Sequence, residues 1–203
     1  MKNSILLLKI FQKLSLILLL TFQLKLSTSY AQEINLGLIE QELTRVQVDP
    51  DQSIEISVNA PLSYVFDFLS LRLNEYVEGA RTIEFNHSNS EIPGKLGVGS
   101  VRKLTMENDA YLMQRFLQFK RHTGYAYFTD MDESTLEAPL NYSLSRYEFS
   151  EMEEGETIVR ISVVYQSSSR LLAYFVRRAF ISSLRRDFDR AAKTIEFNYR
   201  KNS

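Results

Sequence analysis

The stretch IEISVNAPLSYVFDFL (Ile54–Leu69) changes its hydrophobic period in the middle. Ile54, Ile56 and Val58 alternate with Glu55 and Ser57, the pattern of a strand buried on one face. Leu62, Val65, Phe66 and Leu69 then recur at i, i+3, i+4 and i+7, which is a helical stripe. Between the two, Asn59 suits a helix cap, and Pro61 suits a first helical turn, where its missing N–H needs no partner. The spacing predicts one short strand running straight into a short helix. Leu71–Val77 continues helically until Gly79 breaks the run.

Working outward from that stretch, the chain becomes β-rich. Strands are expected over Ala80–His87, Val98–Met106, Ala110–Phe119, Tyr125–Thr129, Leu140–Phe149 and Thr157–Gln166. Turn signals at Glu107–Asp109 and Gly124 and the acidic loop Glu151–Glu156 join them, so consecutive strands pair as an antiparallel sheet. In the last strand Val159, Ile161, Val163 and Tyr165 share one face. Ser167–Ser169 then offers caps for a long helix, roughly Arg170–Phe197, with neither proline nor glycine. Its apolar stripe of Leu172, Phe175, Val176, Ala179, Phe180, Leu184, Phe188, Ala191 and Ile195 drifts around the helix, as for one lying across a twisted sheet. The expected fold is α+β of the helix-grip kind. A curved antiparallel sheet of about seven strands wraps a long C-terminal helix, with two short helices after the first strand. Such a grip commonly encloses a cavity.

Upstream, Lys2, Lys9 and Lys13 precede the apolar run Leu14–Phe22, and small residues stand at Ser29 and Ala31. This pattern predicts an export signal over residues 1–31, cleaved between Ala31 and Gln32, and hence a periplasmic or secreted protein. The alternative is an uncleaved anchor, although the core run is about half the roughly 20 apolar residues of a membrane span. Residues 32–53 form an extension before a domain at 54–200. Within it Leu36, Leu38, Ile39 and Leu43 suit one side of a helix, Thr44–Val48 alternates like a strand, and Asp49–Asp51 reads as a turn.

The four basic residues before Ala31 stand in a segment without an acid, so the rest of the chain carries 20 basic against 25 acidic residues. That balance argues against general nucleic-acid binding. With no cysteine there is neither a disulfide framework nor a thiolate metal site. His87 and His122 are too far apart to be a local ligand pair, and Asp130–Ser134 lacks the glycine and bidentate glutamate of a calcium loop. No metal or cofactor is expected. Gly97-Val-Gly99 leads into a strand rather than a helix, which excludes a dinucleotide loop.

Five segments in order resemble the START-like or Bet v 1-like (SRPBCC) superfamily, particularly its polyketide cyclase/dehydrase-type branch. They are the opening strand with Ala60-Pro61 and its helix, Gly97-Val-Gly-Ser-Val-Arg102, Gln114-Arg115-Phe116, Pro139-Leu-Asn-Tyr142, and Gly155-Glu-Thr157. Gln114 stands where the family often has an acid. The resemblance implies a domain that binds or transfers a lipid or other hydrophobic small molecule in an internal cavity. The alternative it implies is a cyclase- or dehydrase-type enzyme acting in the same cavity without metal or covalent nucleophile. It supplies no set of catalytic residues.

Candidate cavity residues are Tyr111, Arg115, Tyr127, Tyr142, Tyr165, Phe175 and Phe180, since aromatics with polar tips suit an apolar pocket that orients its ligand. The alternative for each is that it fills the core or lies outside. Arg115 either faces solvent beside the sheet or anchors an anionic group within. Seven basic residues between Arg170 and Lys193 make the long helix a candidate for peripheral contact with anionic lipid, the alternative being an ordinary solvated face.

Overall fold

The computed structural model describes residues 37–152, 155–169 and 173–202, without the side chains of residues 175, 176 and 202. The expected export segment, Leu36, Arg170 and Leu172 lie outside the described residues. The chain divides into two compact units, Met1–Glu42 and Leu43–Ser203. Of the first, residues 37–42 are described and are helical. That helix, α1 (residues 37–48), continues into the second unit.

The expected strand at 44–48 is therefore helical. Val46 is 1% exposed and Val48 78% exposed. In a strand these two residues would share a face, whereas in a helix they point in nearly opposite directions. Ile39, Leu43 and Val46 keep the i, i+4, i+7 spacing that a helix needs, and this longer pattern prevails over the local alternation.

The second unit is a seven-stranded antiparallel sheet, β1 (Gln52–Val58), β2 (Ala80–Asn86), β3 (Val101–Met106), β4 (Tyr111–Lys120), β5 (Gly124–Asp130), β6 (Leu140–Glu151) and β7 (Thr157–Ser167). Their spatial order is β1-β7-β6-β5-β4-β3-β2. After β1 come α2 (Leu62–Leu71) and a 3-10 turn at Leu73–Glu75, and the chain ends with the 30-residue α3 (Ala173–Asn202). The sheet curves around α3, which is the helix-grip architecture expected from the sequence.

The change of period at Asn59–Pro61 is a real junction. Pro61 itself takes the extended backbone that begins α2. Asn59 does not cap α2. Its backbone and side-chain N–H groups both donate to the carboxylate of Glu196 on α3, at 3.0 and 3.1 Å. The Thr157 hydroxyl donates to the Ala60 carbonyl at 2.7 Å, pinning the other side of the junction to β7. Val65, Phe66 and Leu69 then fill one end of the space beneath the sheet, each at most 1% exposed. Phe66 is the centre of that end. Its ring meets those of Phe119, His122, Tyr125 and Phe149 at centroid distances of 4.9–5.7 Å.

Gly99 sets the entry of β3. It has φ +87°, and a Cβ there would collide with the carbonyl oxygen of Asn89. Only glycine meets both conditions at little cost. Beyond this turn alternate residues of β3 face inward: Arg102, Leu104 and Met106.

Candidate functional site

The aromatic cluster around Phe66 fills one end of the grip, while the other end holds a cavity of about 350 Å3. Its walls follow from strand alternation. Leu104 of β3 pairs with Leu112 of β4, and with Met106 they make one apolar wall. Thr129, Ser143 and Ser145 of β5 and β6 make a wall of small polar side chains, and this is why the interior stays unfilled there. Phe180, Leu184 and Phe188 of α3 close it from above, and Leu73 and Val77 from the side of the 3-10 turn. Leu136, Ala138 and Leu140, before and at the start of β6, complete the outer part.

Charged groups stand at the rim. Glu78 and Asp187 both line it, and the Glu78 backbone N–H donates to Asp187 at 3.2 Å. Arg186 and Arg190 of α3 each approach Glu78 at 3.8 Å, and Arg190 also donates to the Tyr76 carbonyl at 3.0 Å. Burial raises the Asp187 carboxyl above the usual range, opposed by the Glu78 N–H and the Arg190 cation. The network ties α3 to residues 76–78 along the edge of the opening.

The inner end of the cavity is the most polar part of the interior. Tyr76, Gln114, Tyr127 and Tyr147 line it. The hydroxyls of Tyr127 and Tyr147 lie 3.3 Å apart, and the Tyr76 hydroxyl donates to the Leu69 carbonyl at 3.1 Å. Directly behind them is Arg102, at 0% exposure. Its Nε donates to the Gln114 side-chain oxygen at 2.8 Å and its Nη1 to the Ser70 carbonyl in the last turn of α2 at 3.0 Å. The guanidinium lies 4.6 Å from the ring centroid of Tyr127 and 5.2 Å from that of Phe116, within cation–π range. Its Nη2 has no hydrogen-bond partner, nor has the buried hydroxyl of Tyr125. Burial pushes the phenols of Tyr76, Tyr125 and Tyr147 well above the ordinary tyrosine range, and the Arg102 cation draws Tyr76 and Tyr125 partly back. All three remain protonated donors at physiological pH. Among the described residues no group of three His, Asp or Glu side chains is placed to hold a metal ion.

The sequence candidates divide between the two faces of the sheet. Tyr127 and Phe180 line the cavity. Tyr165 packs behind it, its ring 5.1 Å from that of Phe180. Tyr142 is buried, but it alternates with Ser143 and stacks on Phe128 at 5.5 Å, on the outer side of the sheet. Tyr111 is also outside, beneath the Lys103 ammonium at 4.7 Å. Arg115 faces outward as well, half-exposed and paired with Glu133 at 3.4 Å. The side chain of Phe175 lies outside the described residues.

The outward position of Arg115 has a plain cause. Both faces of β4 carry large apolar side chains: Tyr111, Met113 and Leu117 on one, Leu112 and Phe116 on the other. Alternation alone leaves its phase open. Pairing decides it, since Gln114 is opposite Arg102 and Leu112 opposite Leu104, both on the inner face of β3. The interior arginine that sequence reasoning sought is thus Arg102. Its signal was its alternation with Leu104 and Met106 immediately after a glycine turn.

No protein-family profile and no curated protein matches this sequence. Solved structures do share its fold. Ara h 8.0201, a Bet v 1 homologue, is 16% identical with a TM-score of 0.56, over 71% of this chain and 95% of that one. The protein XoxI from Bacillus cereus is 11% identical with a TM-score of 0.56, over 71% and 94%. An uncharacterized protein from Bacillus thuringiensis is 11% identical with a TM-score of 0.55, over 71% and 97%. At these identities the likeness concerns the fold, which is Bet v 1-like or START-like.

Proposed function

We propose, from a Bet v 1-like fold that keeps part of its interior unfilled, that this chain binds a hydrophobic small molecule or lipid in the cavity under α3. The observation that carries the reading is the cavity itself. Its volume of about 350 Å3 is at the lower end of the roughly 300–1,000 Å3 of small-molecule sites. An apolar lining with a few convergent polar groups is the usual composition of such a site. Small side chains at Ser143 and Ser145 leave open a space that larger residues would fill.

Native mass spectrometry of the protein purified from its own host should find a co-purifying hydrophobic molecule. Ser145→Phe, which projects a ring into the cavity, should weaken binding of the neutral probe phenylnaphthylamine by about tenfold or more, the equivalent of roughly 1.4 kcal/mol. A protein that carries no such molecule and binds the probe no better than its Ser145→Phe variant is not a binding protein of this kind. Release of the co-purified molecule chemically altered would favour the cyclase- or dehydrase-type alternative.

The protein acts after export in this reading, with residues 1–31 as the signal and a mature chain comprising an extension over 32–53 and the domain at 54–200. N-terminal sequencing of protein from the native host should begin at Gln32. An intact Met1 on folded protein in the cytoplasm would remove the export proposal and leave the cavity reading untouched.

A further inference from the structure

The inner end of the cavity has a large excess of donors over acceptors. A guanidinium is a planar fork of N–H donors with no acceptor, and it stays charged inside proteins. Arg102 is fully buried, yet among the described residues no carboxylate forms an ion pair with it. Its two acceptors are neutral: the Gln114 amide oxygen and the Ser70 carbonyl. The α2 C-terminus adds only a partial negative charge. Of the four buried side-chain polar atoms without a partner among the described residues, Arg102 Nη2 and the Tyr125 hydroxyl both lie in this cluster. Buried donors are normally satisfied, and buried charges are normally paired.

The groups in front of Arg102 transmit the same preference to the cavity. Gln114 turns its oxygen toward the guanidinium, so the amide face left for its other neighbours is the donating NH2, 3.5 Å from the Thr129 hydroxyl. One proton of the Tyr127–Tyr147 hydroxyl pair bridges the two oxygens, which leaves the other to donate into the cavity they line. An acceptor placed there meets neutral donors at contact distance and a full positive charge one side chain behind them.

We propose that the cavity takes an amphipathic anion, a carboxylate with an apolar body, with its head at Gln114, Tyr127 and Tyr147 and its charge balanced by Arg102. The assignment rests on the cavity being a ligand site and names the class of ligand that site selects. The carboxylate gives Gln114 and the tyrosine pair a charged acceptor and sets a counter-charge one side chain in front of Arg102, and the apolar body lies against Leu104, Leu112 and Leu184. Arg115, outside the sheet and already paired, takes no part.

The test compares decanoate with decanol, which share a chain and differ in head charge, by isothermal titration calorimetry at neutral pH. Decanoate should bind roughly ten- to a hundredfold more tightly, the range for hydrogen bonds to a charged group. Gln114→Glu keeps an oxygen on Arg102 Nε and supplies the missing negative charge, so the variant should fold and abolish or invert the preference. Arg115→Gln, which alters charge on the outer face alone, should keep it. Equal affinities in the natural protein, or a preference that survives Gln114→Glu, would overturn the assignment while leaving hydrophobic binding in place. If decanoate, decanol and phenylnaphthylamine all fail to bind, the proposed binding function falls and the assignment falls with it.

Discussion

Phe66→Ala should lower the free energy of unfolding by about 3–5 kcal/mol, the range for deleting a buried phenylalanine without collapse of the site. Phe66 is 1% exposed and touches four aromatic rings that come from β4, β5, β6 and the β4–β5 turn. Its partners are held by sheet pairing, so they have little freedom to close over the gap. Edge-to-face contacts of this kind add about 0.5–1.5 kcal/mol each beyond the area they bury. Chemical denaturation measures the loss as a lower midpoint. A loss under about 1 kcal/mol would mean that α2 is not docked as described. The cavity lies at the opposite end of the grip, so ligand affinity in the surviving folded fraction should change far less than stability.

Arg102→Ala should cost a similar amount, about 3–5 kcal/mol, for a different reason. The substitution deletes a fully buried side chain and leaves the Gln114 oxygen and the Ser70 carbonyl without their donor. Each orphaned buried acceptor costs about 1–3 kcal/mol. Against that stands the desolvation penalty of a guanidinium with no carboxylate, which the variant no longer bears. Arg102→Met keeps most of the volume and removes the charge, so it should be less damaging than alanine. The difference between the two variants, read from denaturation curves, separates packing from polar satisfaction. If Arg102→Met is more stable than the natural protein, Arg102 is held in place at a cost to stability, as expected of a group kept for binding.

Sequence and structure agree best where one pattern extends over many residues. The stripe from Phe180 to Ile195 spans four helical turns and could be satisfied only by a helix laid on an apolar surface. All six downstream strands begin and end within three residues of the limits their sequence suggests, because glycines and acidic turns separate them. The site was less legible. Tyr127 and Phe180 line the cavity, but Tyr111, Arg115 and Tyr142 belong to the outer face. In β4 the two faces are almost equally apolar, so nothing in the strand itself announces which one is inward. Gln114 stands out in the sequence as a departure from an expected acid, whereas its partner Arg102 shows there only as the end of a glycine turn.

By itself the sequence determined the succession of elements and the helix-grip architecture, because periodicity, turn residues and the Ala60-Pro61 junction are local properties of the chain. The phase of β4, the outward position of Arg115 and the buried position of Arg102 were decided only by tertiary structure. They depend on which strands pair and in what register, and a shift of one residue would exchange the two faces. The cavity is of the same kind. It exists because small residues on β6 happen to oppose Phe180, Leu184 and Phe188 on α3, and no segment of the chain holds that fact alone.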